Sequence, residues 1–151
     1  MLIPAVAAAD DESAAVPGGP VKVLARGTSP AFDKVEVRSV EIDGGWQLHL
    51  AVRDQHKVWW RSAQPDDVYQ YDNGMCKSAR SRISRATVTP RGTDTVVARI
   101  DVKVDLYMVC ADRLRPGHDH LDSWSEIHVL TCRAAPDGVK CAAPVITSTR
   151  K

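Results

Sequence analysis

The chain has 151 residues, 44% hydrophobic and 26% charged, which is the range of an ordinary globular protein and argues against global disorder. That length holds one domain with a proper core and is short for two. With a formal net charge of +1, no overall field would draw the chain to nucleic acid or an anionic membrane, so electrostatic recognition must be local.

The first residues, MLIPAVAAADDE, carry a compartment signal. Leu2 to Ala9 are apolar and end in Ala7-Ala8-Ala9, a small-x-small cleavage pattern followed by acids. Residues 1–9 therefore read as the remnant of a signal peptide whose charged n-region is absent. Residues 10–20, acidic and then rich in Pro and Gly, read as a disordered leader. A single β-rich domain is expected over 21–151. No later apolar run nears the roughly 18 residues of a transmembrane span. Arg is commoner than Lys and Asn is scarce, a composition associated with GC-rich bacteria, so the expected location is periplasmic or secreted.

From Val21 the pattern alternates with period two. Val21, Val23 and Ala25 suggest a first strand. DKVEVRSVEI, then Asp43-Gly44-Gly45, then WQLHLAV reads as a hairpin. A three-residue loop with Gly45 left-handed would set Ile42 opposite Trp46 and Val40 opposite Leu48. The apolar phase changes between Val37 and Val40, which predicts a β-bulge near Arg38-Ser39.

Trp59 and Trp60 follow, with Tyr69 and Tyr71 close behind. Adjacent residues of a strand face opposite sides, so the two tryptophans cannot share one core. One of them is expected to be exposed, or buried by a covering loop or a partner. Exposed aromatic rings suit a sugar ring or a protein interface. Gln64-Pro65-Asp66-Asp67 could open one short helical turn and another could follow near Cys76; helix signals are otherwise poor.

Lys77, Arg80, Arg82, Arg85 and Arg91 form a stretch free of acids. As a nucleic-acid site it lacks stacking aromatics, and none is expected. Its default reading is a solvated strand face; an acidic partner, if one exists, would dock there, adjoining the aromatic segment. ISRATVT, the turn Pro90 to Asp94, and Val96 to Cys110 predict a second hairpin, with Ala98, Ile100, Val102, Val104, Leu106, Met108 and Cys110 on one face.

Gly117-His118-Asp119-His120-Leu121-Asp122 carries two imidazoles and two carboxylates, so His118, His120 and Asp122 are candidate ligands for a divalent metal, with His128 and His49 as more distant ones. The plain alternative is a solvated polar loop. SEIHVLTC and VKCAAPVI flank Ala135-Pro136-Asp137-Gly138 as a last hairpin. Cys132 and Cys141 are symmetric about its centre and face one another if the loop has two or four residues. Four cysteines without CxxC spacing suggest two disulfides, Cys132–Cys141 and Cys76–Cys110, out of three possible connectivities.

The expected class is all-β, an antiparallel sandwich or small barrel with at most short helical turns. Signatures of serine hydrolases, P-loops, zincins and dinucleotide folds are missing. The expectation is a non-catalytic exported binding domain of inhibitor, immunity or envelope-adaptor type, without a cofactor. It would recognise a protein or envelope glycan through Trp59, Trp60, Tyr69, Tyr71, Lys77, Arg80 and Arg82. The rivals are a small metal-dependent hydrolase on the His118–Asp122 loop and a structural subunit of an envelope assembly.

Overall fold

The computed structural model describes residues 4–6, 8–10, 21–42, 45–62, 77–108 and 119–150. Every regular element among them is a strand: β1 (Pro4–Val6), β2 (Ala8–Asp10), β3 (Val21–Gly27), β4 (Lys34–Ile42), β5 (Gly45–Arg53), β6 (Trp59–Arg61), β7 (Lys77–Arg91), β8 (Thr95–Met108), β9 (Asp119–Ala135), β10 (Gly138–Ala142) and β11 (Val145–Ser148). Among the described residues no helix is long and apolar enough to cross a membrane. Tyr69, Tyr71, Cys76, Cys110, His118, the helical turns near 64–67 and the leader over 11–20 lie outside the described residues.

All pairings are antiparallel. Sheet A runs β1-β10-β9-β8-β7, with β11 also on β9; sheet B runs β2-β6-β5-β4-β3. The apolar phases of the strands meet between the sheets. Val35, Val37, Leu48, Leu50 and Val52 of sheet B join Val96, Ile100, Val102, Val104 and Leu130 of sheet A in one core.

The β7–β8 hairpin follows the expectation from its alternation, with Gly92 at φ 65° in the turn and Val88 opposite Ala98. Pro90, which has no N–H to donate, is tolerated because β7 is an edge strand. The last hairpin closes over Pro136-Asp137, placing Cys132 directly opposite Cys141, and the two are joined as a disulfide with Cα atoms 4.0 Å apart. Pro144 then interrupts the returning strand, and β11 resumes pairing further down β9.

The first hairpin departs from expectation. Its loop has two residues, so Ile42 pairs with Gly45, Val40 with Gln47 and Glu41 with Trp46. β4 also runs along β5 without a register shift; the bulge lies instead in β3, between Val23 and Ala25. The reason is that sheet B is buried on both faces. Val40 is fully buried yet stands outside the main core, on the opposite face from Val37, so the phase change between them needs no bulge.

One contact fixes how the sheets meet. β3 and β7 are their outer strands and lie side by side. A Cβ on Gly27 would fall 2.6 Å from Cγ1 and 2.8 Å from Cβ of Val88. Only a glycine permits that approach. Gly27→Ala should therefore lower stability by about 1–3 kcal/mol in urea unfolding. The Gly27→Ala/Val88→Ala double variant should lose less than the sum of the single losses, the signature of direct contact.

Candidate functional site

Away from Gly27 the seam opens. β7 has its own bulge, between Ile83 and Arg85, and it faces the stretch of β3 that carries the Leu24 bulge. Between these two irregularities lies a cleft of about 540 Å³, within the size range of small-ligand sites.

Its lining follows from the register. Lys22 pairs with Ser39 and Ser39 with Leu48, so all three share the inner face of sheet B. Trp46, two residues before Leu48, leans against the edge of the core on that face. Across the gap Ser81 and Ile83 point inward from β7, opposite Val104 and Val102. Arg82, Ser84 and Arg85 complete the rim. The Ser84 hydroxyl donates to the Asp101 carbonyl at 3.1 Å. Among the described residues no carboxylate lines the cleft.

The outer face of sheet A continues the basic character. Arg82 stands directly opposite Lys103 and Arg80 opposite Asp105. The Arg80 guanidinium lies 5.2 Å from the centre of the Tyr107 ring. Arg99 is paired with Asp101 at 3.2 Å. Asp101 stands opposite Arg85 across the ladder, but among the described residues no salt bridge joins a carboxylate to Arg82, Arg85 or Lys103. Like charges directly opposite each other destabilise a strand pair, so the Arg82–Lys103 juxtaposition is unfavourable unless something anionic meets it.

The expected aromatic site is arranged differently. Trp60 is half-buried and turns to the core side, its indole N–H donating to Asp54 at 2.9 Å. Burial opposes ionisation of Asp54, but that bond and the backbone N–H groups of Val58 and His56 outweigh it and hold the carboxyl below its ordinary range. Trp59 faces the other way and is only 3% exposed. It belongs to a buried layer on the outer face of sheet B. There the Arg38 guanidinium lies 4.2 Å from the Trp59 ring centre and donates to Glu36 at 2.7 Å. Neither tryptophan adjoins Arg80 or Arg82, which lie on sheet A. Lys77 begins β7 opposite Met108.

His49 sits in the same layer, opposite Arg38. Its Nδ1 contacts the Ser62 carbonyl at 3.2 Å, and because a carbonyl only accepts, Nδ1 carries the proton. Its Nε2, together with Arg38 Nε and Trp59 Nε1, is buried without a hydrogen-bond partner.

Of the metal candidates, the described residues include His120, Asp122, His128 and His49, and these do not converge. Leu121 is the extra residue where the β8–β9 register shifts, so Asp122 shares the face of Leu106 while His120 shares that of Tyr107. Asp122 pairs with Arg150 at 3.4 Å. His120 contacts Ser123 Oγ at 2.5 Å, and that hydroxyl also lies 2.5 Å from Asp105 Oδ1. The serine proton goes to the carboxylate, so the imidazole donates to the hydroxyl, the reverse of a base activating a nucleophile. His128 lies in the core beside Glu126, Nε2 to Oε1 at 3.0 Å, with the Trp124 indole donating to the same carboxylate at 2.8 Å. Among the described residues no group of three metal-ligating side chains forms.

Reading the sequence alone missed Lys22, Ser39, Trp46 and Ser81. The signal was present: Lys22, Ser39 and Ser81 are polar residues at inner-face positions, and they cluster at one end of the core. Comparison with protein-family models, with curated proteins and with solved structures yields no match.

Burial lowers the His49 pKa from 6.5 to about 4, against the opposing hydrogen bond to Ser62. Between those values the unfolded chain binds the proton and the folded one does not, so stability is full above pH 6.5 and falls as pH drops toward 4. The loss should approach about 3 kcal/mol across that window. Urea unfolding as a function of pH should show this slope, and His49→Gln should flatten it.

Proposed function

We propose that this chain is an exported, non-catalytic binding domain that recognises anionic groups of a partner through the basic cleft at the β3–β7 seam and the adjoining face of sheet A. The observation carrying this reading is the concentration of Arg82, Arg85 and Lys103, which among the described residues have no salt-bridge partner, beside a cleft whose described lining contains no acid. Arg82 and Lys103 oppose each other at a cost that an anionic partner would relieve. The aromatic contribution comes from Trp46 in place of the Trp59–Trp60 pair. The partner is a protein or a glycan of the cell envelope.

Export is supported by the Cys132–Cys141 disulfide, a bond that persists in oxidising compartments, and by the small-x-small run before Asp10. Cleavage after Ala9 would remove β1 and most of β2, leaving the edges of β10 and β6 uncovered. In this reading the two sheets form a sandwich, Cys76–Cys110 is a second disulfide, and the organism is bacterial. A non-catalytic role is favoured by the Ser123–His120–Asp105 group, whose hydrogen-bond directions suit a surface network.

Co-sedimentation with washed bacterial cell envelopes tests the proposal. The protein should pellet with them, and Arg82→Glu/Arg85→Glu should cut the bound fraction about tenfold, since reversing two cations turns attraction into repulsion. Equal sedimentation of the variant, or none by the native protein, overturns it.

A further inference from the structure

Arg82 belongs to two cavities at once. It lines the seam cleft and also a second depression of about 390 Å³ on the far side of β7. That second depression carries Lys103, Ser123, Ser125 and Thr149, with Asp105 as the one acid among its described lining residues. The Asp105 carboxylate is occupied by the Ser123 hydroxyl at 2.5 Å.

Together these cavities form a track across the strands. Lys22 and Arg85 stand at the seam, Arg82 on β7 and Lys103 next on β8. Neighbouring strands lie about 5 Å apart, so the track offers a cation at each step and not a single charged point. Between the cations the lining is rich in hydroxyls: Ser39, Ser81 and Ser84 in the cleft, Ser123, Ser125 and Thr149 beyond it.

Charge identifies the occupant as an anion, and the hydroxyls narrow its class. Protein interfaces are depleted in Lys and Ser, whereas Lys22, Lys103 and a series of serines stand around the apolar floor of the cleft and along the second depression. Strand addition is hindered because the free edges of β3 and β7 face each other and close at Gly27 and Val88. Nucleic acid would want a row of stacking rings, and among the described residues the aromatics lining the two cavities are Trp46 and Trp124, the latter mostly buried in the core. A linear sugar polymer with one carboxylate per residue meets every requirement: repeated charge, repeated hydroxyls, and a sugar face for the Trp46 ring at the cleft mouth.

We infer that the track from Lys22 and Arg85 through Arg82 to Lys103 binds a linear acidic polysaccharide of the polyuronate class. The inference rests on the binding-domain reading above and names the ligand of that same site.

Calorimetric titration with polygalacturonate, with dextran as the uncharged control, tests it. Polygalacturonate should bind and dextran should not, with affinity falling steeply as sodium chloride is raised past the level at which surface charges are screened. Arg82→Glu, which breaks the track at its shared residue, should weaken binding at least about tenfold. Lys103→Glu should weaken it less, and Lys140→Glu, on the β10 hairpin, should leave it unchanged. Circular dichroism and the melting temperature of each variant report whether it is folded. Trp46→Phe should abolish the fluorescence change on binding. Failure to bind polygalacturonate, binding equal to dextran, or indifference to Arg82→Glu overturns the inference. If polygalacturonate fails while envelope co-sedimentation stays sensitive to Arg82→Glu/Arg85→Glu, only the ligand class falls. If both are insensitive, the binding-domain reading falls with it.

Discussion

The close approach of Gly27 to Val88 decides how the two sheets share one core. At that point the outer strands β3 and β7 come together more tightly than any side chain on residue 27 would allow. A little further along, each strand carries an extra residue, and the sheets part. A bulge bends its strand and increases local twist, so two facing bulges convert a closed seam into an opening without exposing the rest of the core. The inner positions at that opening are polar, Lys22, Ser39 and Ser81, where the same rows elsewhere carry Val and Leu. Closure at one end and splaying at the other are thus parts of a single arrangement, and the basic cleft exists because of both.

The two sheets treat their outer faces in opposite ways. Sheet B buries Glu36, Arg38, His49 and Trp59 on its outer face, holding charge against aromatic rings and leaving three polar nitrogens unsatisfied. Such groups are costly away from water. Sheet A spends its outer face on solvent, with Arg82, Arg85 and Lys103 exposed and Ser123 and His120 in a surface network. The core is not wholly apolar either: Glu126 and His128 lie within it as a hydrogen-bonded pair, and the Trp124 indole also donates to the Glu126 carboxylate. Sheet A and the seam therefore offer the accessible polar surface closest to open volume.

Much of this was legible residue by residue. The alternation from Val96 to Leu106 could be nothing but a strand, and a turn of Pro136-Asp137 places Cys132 opposite Cys141 by symmetry alone. Turn chemistry and period-two patterning are local, so they survive in the sequence. The β4–β5 register was not legible, because inferring it requires one face to be wet. With Val37 and Val40 both buried on opposite sides, the apolar pattern permits more than one pairing. The functional surface was half legible: the acid-free run from Arg80 to Arg85 was visible, but its aromatic neighbour in space is Trp46, far earlier in the chain. Sequence proximity suggested Trp59 and Trp60 instead, and nothing in their spacing reveals that they belong to the other sheet. His120 and Asp122 read in the sequence as part of a polar loop, yet they belong to β9, where the register shift at Leu121 sets them on opposite faces.

Trp60 links parts of the molecule that the sheet order keeps apart. Its six-membered ring lies against Gly138, close enough that a Cβ there would sit 3.1 Å from Cη2. Gly138 opens the hairpin strand that carries Cys141, so an indole from sheet B rests on the disulfide-bonded hairpin of sheet A. The indole and the sulfur bridge thus hold one hairpin from two sides, so that loss of the bridge would leave this ring contact to tie it to sheet B.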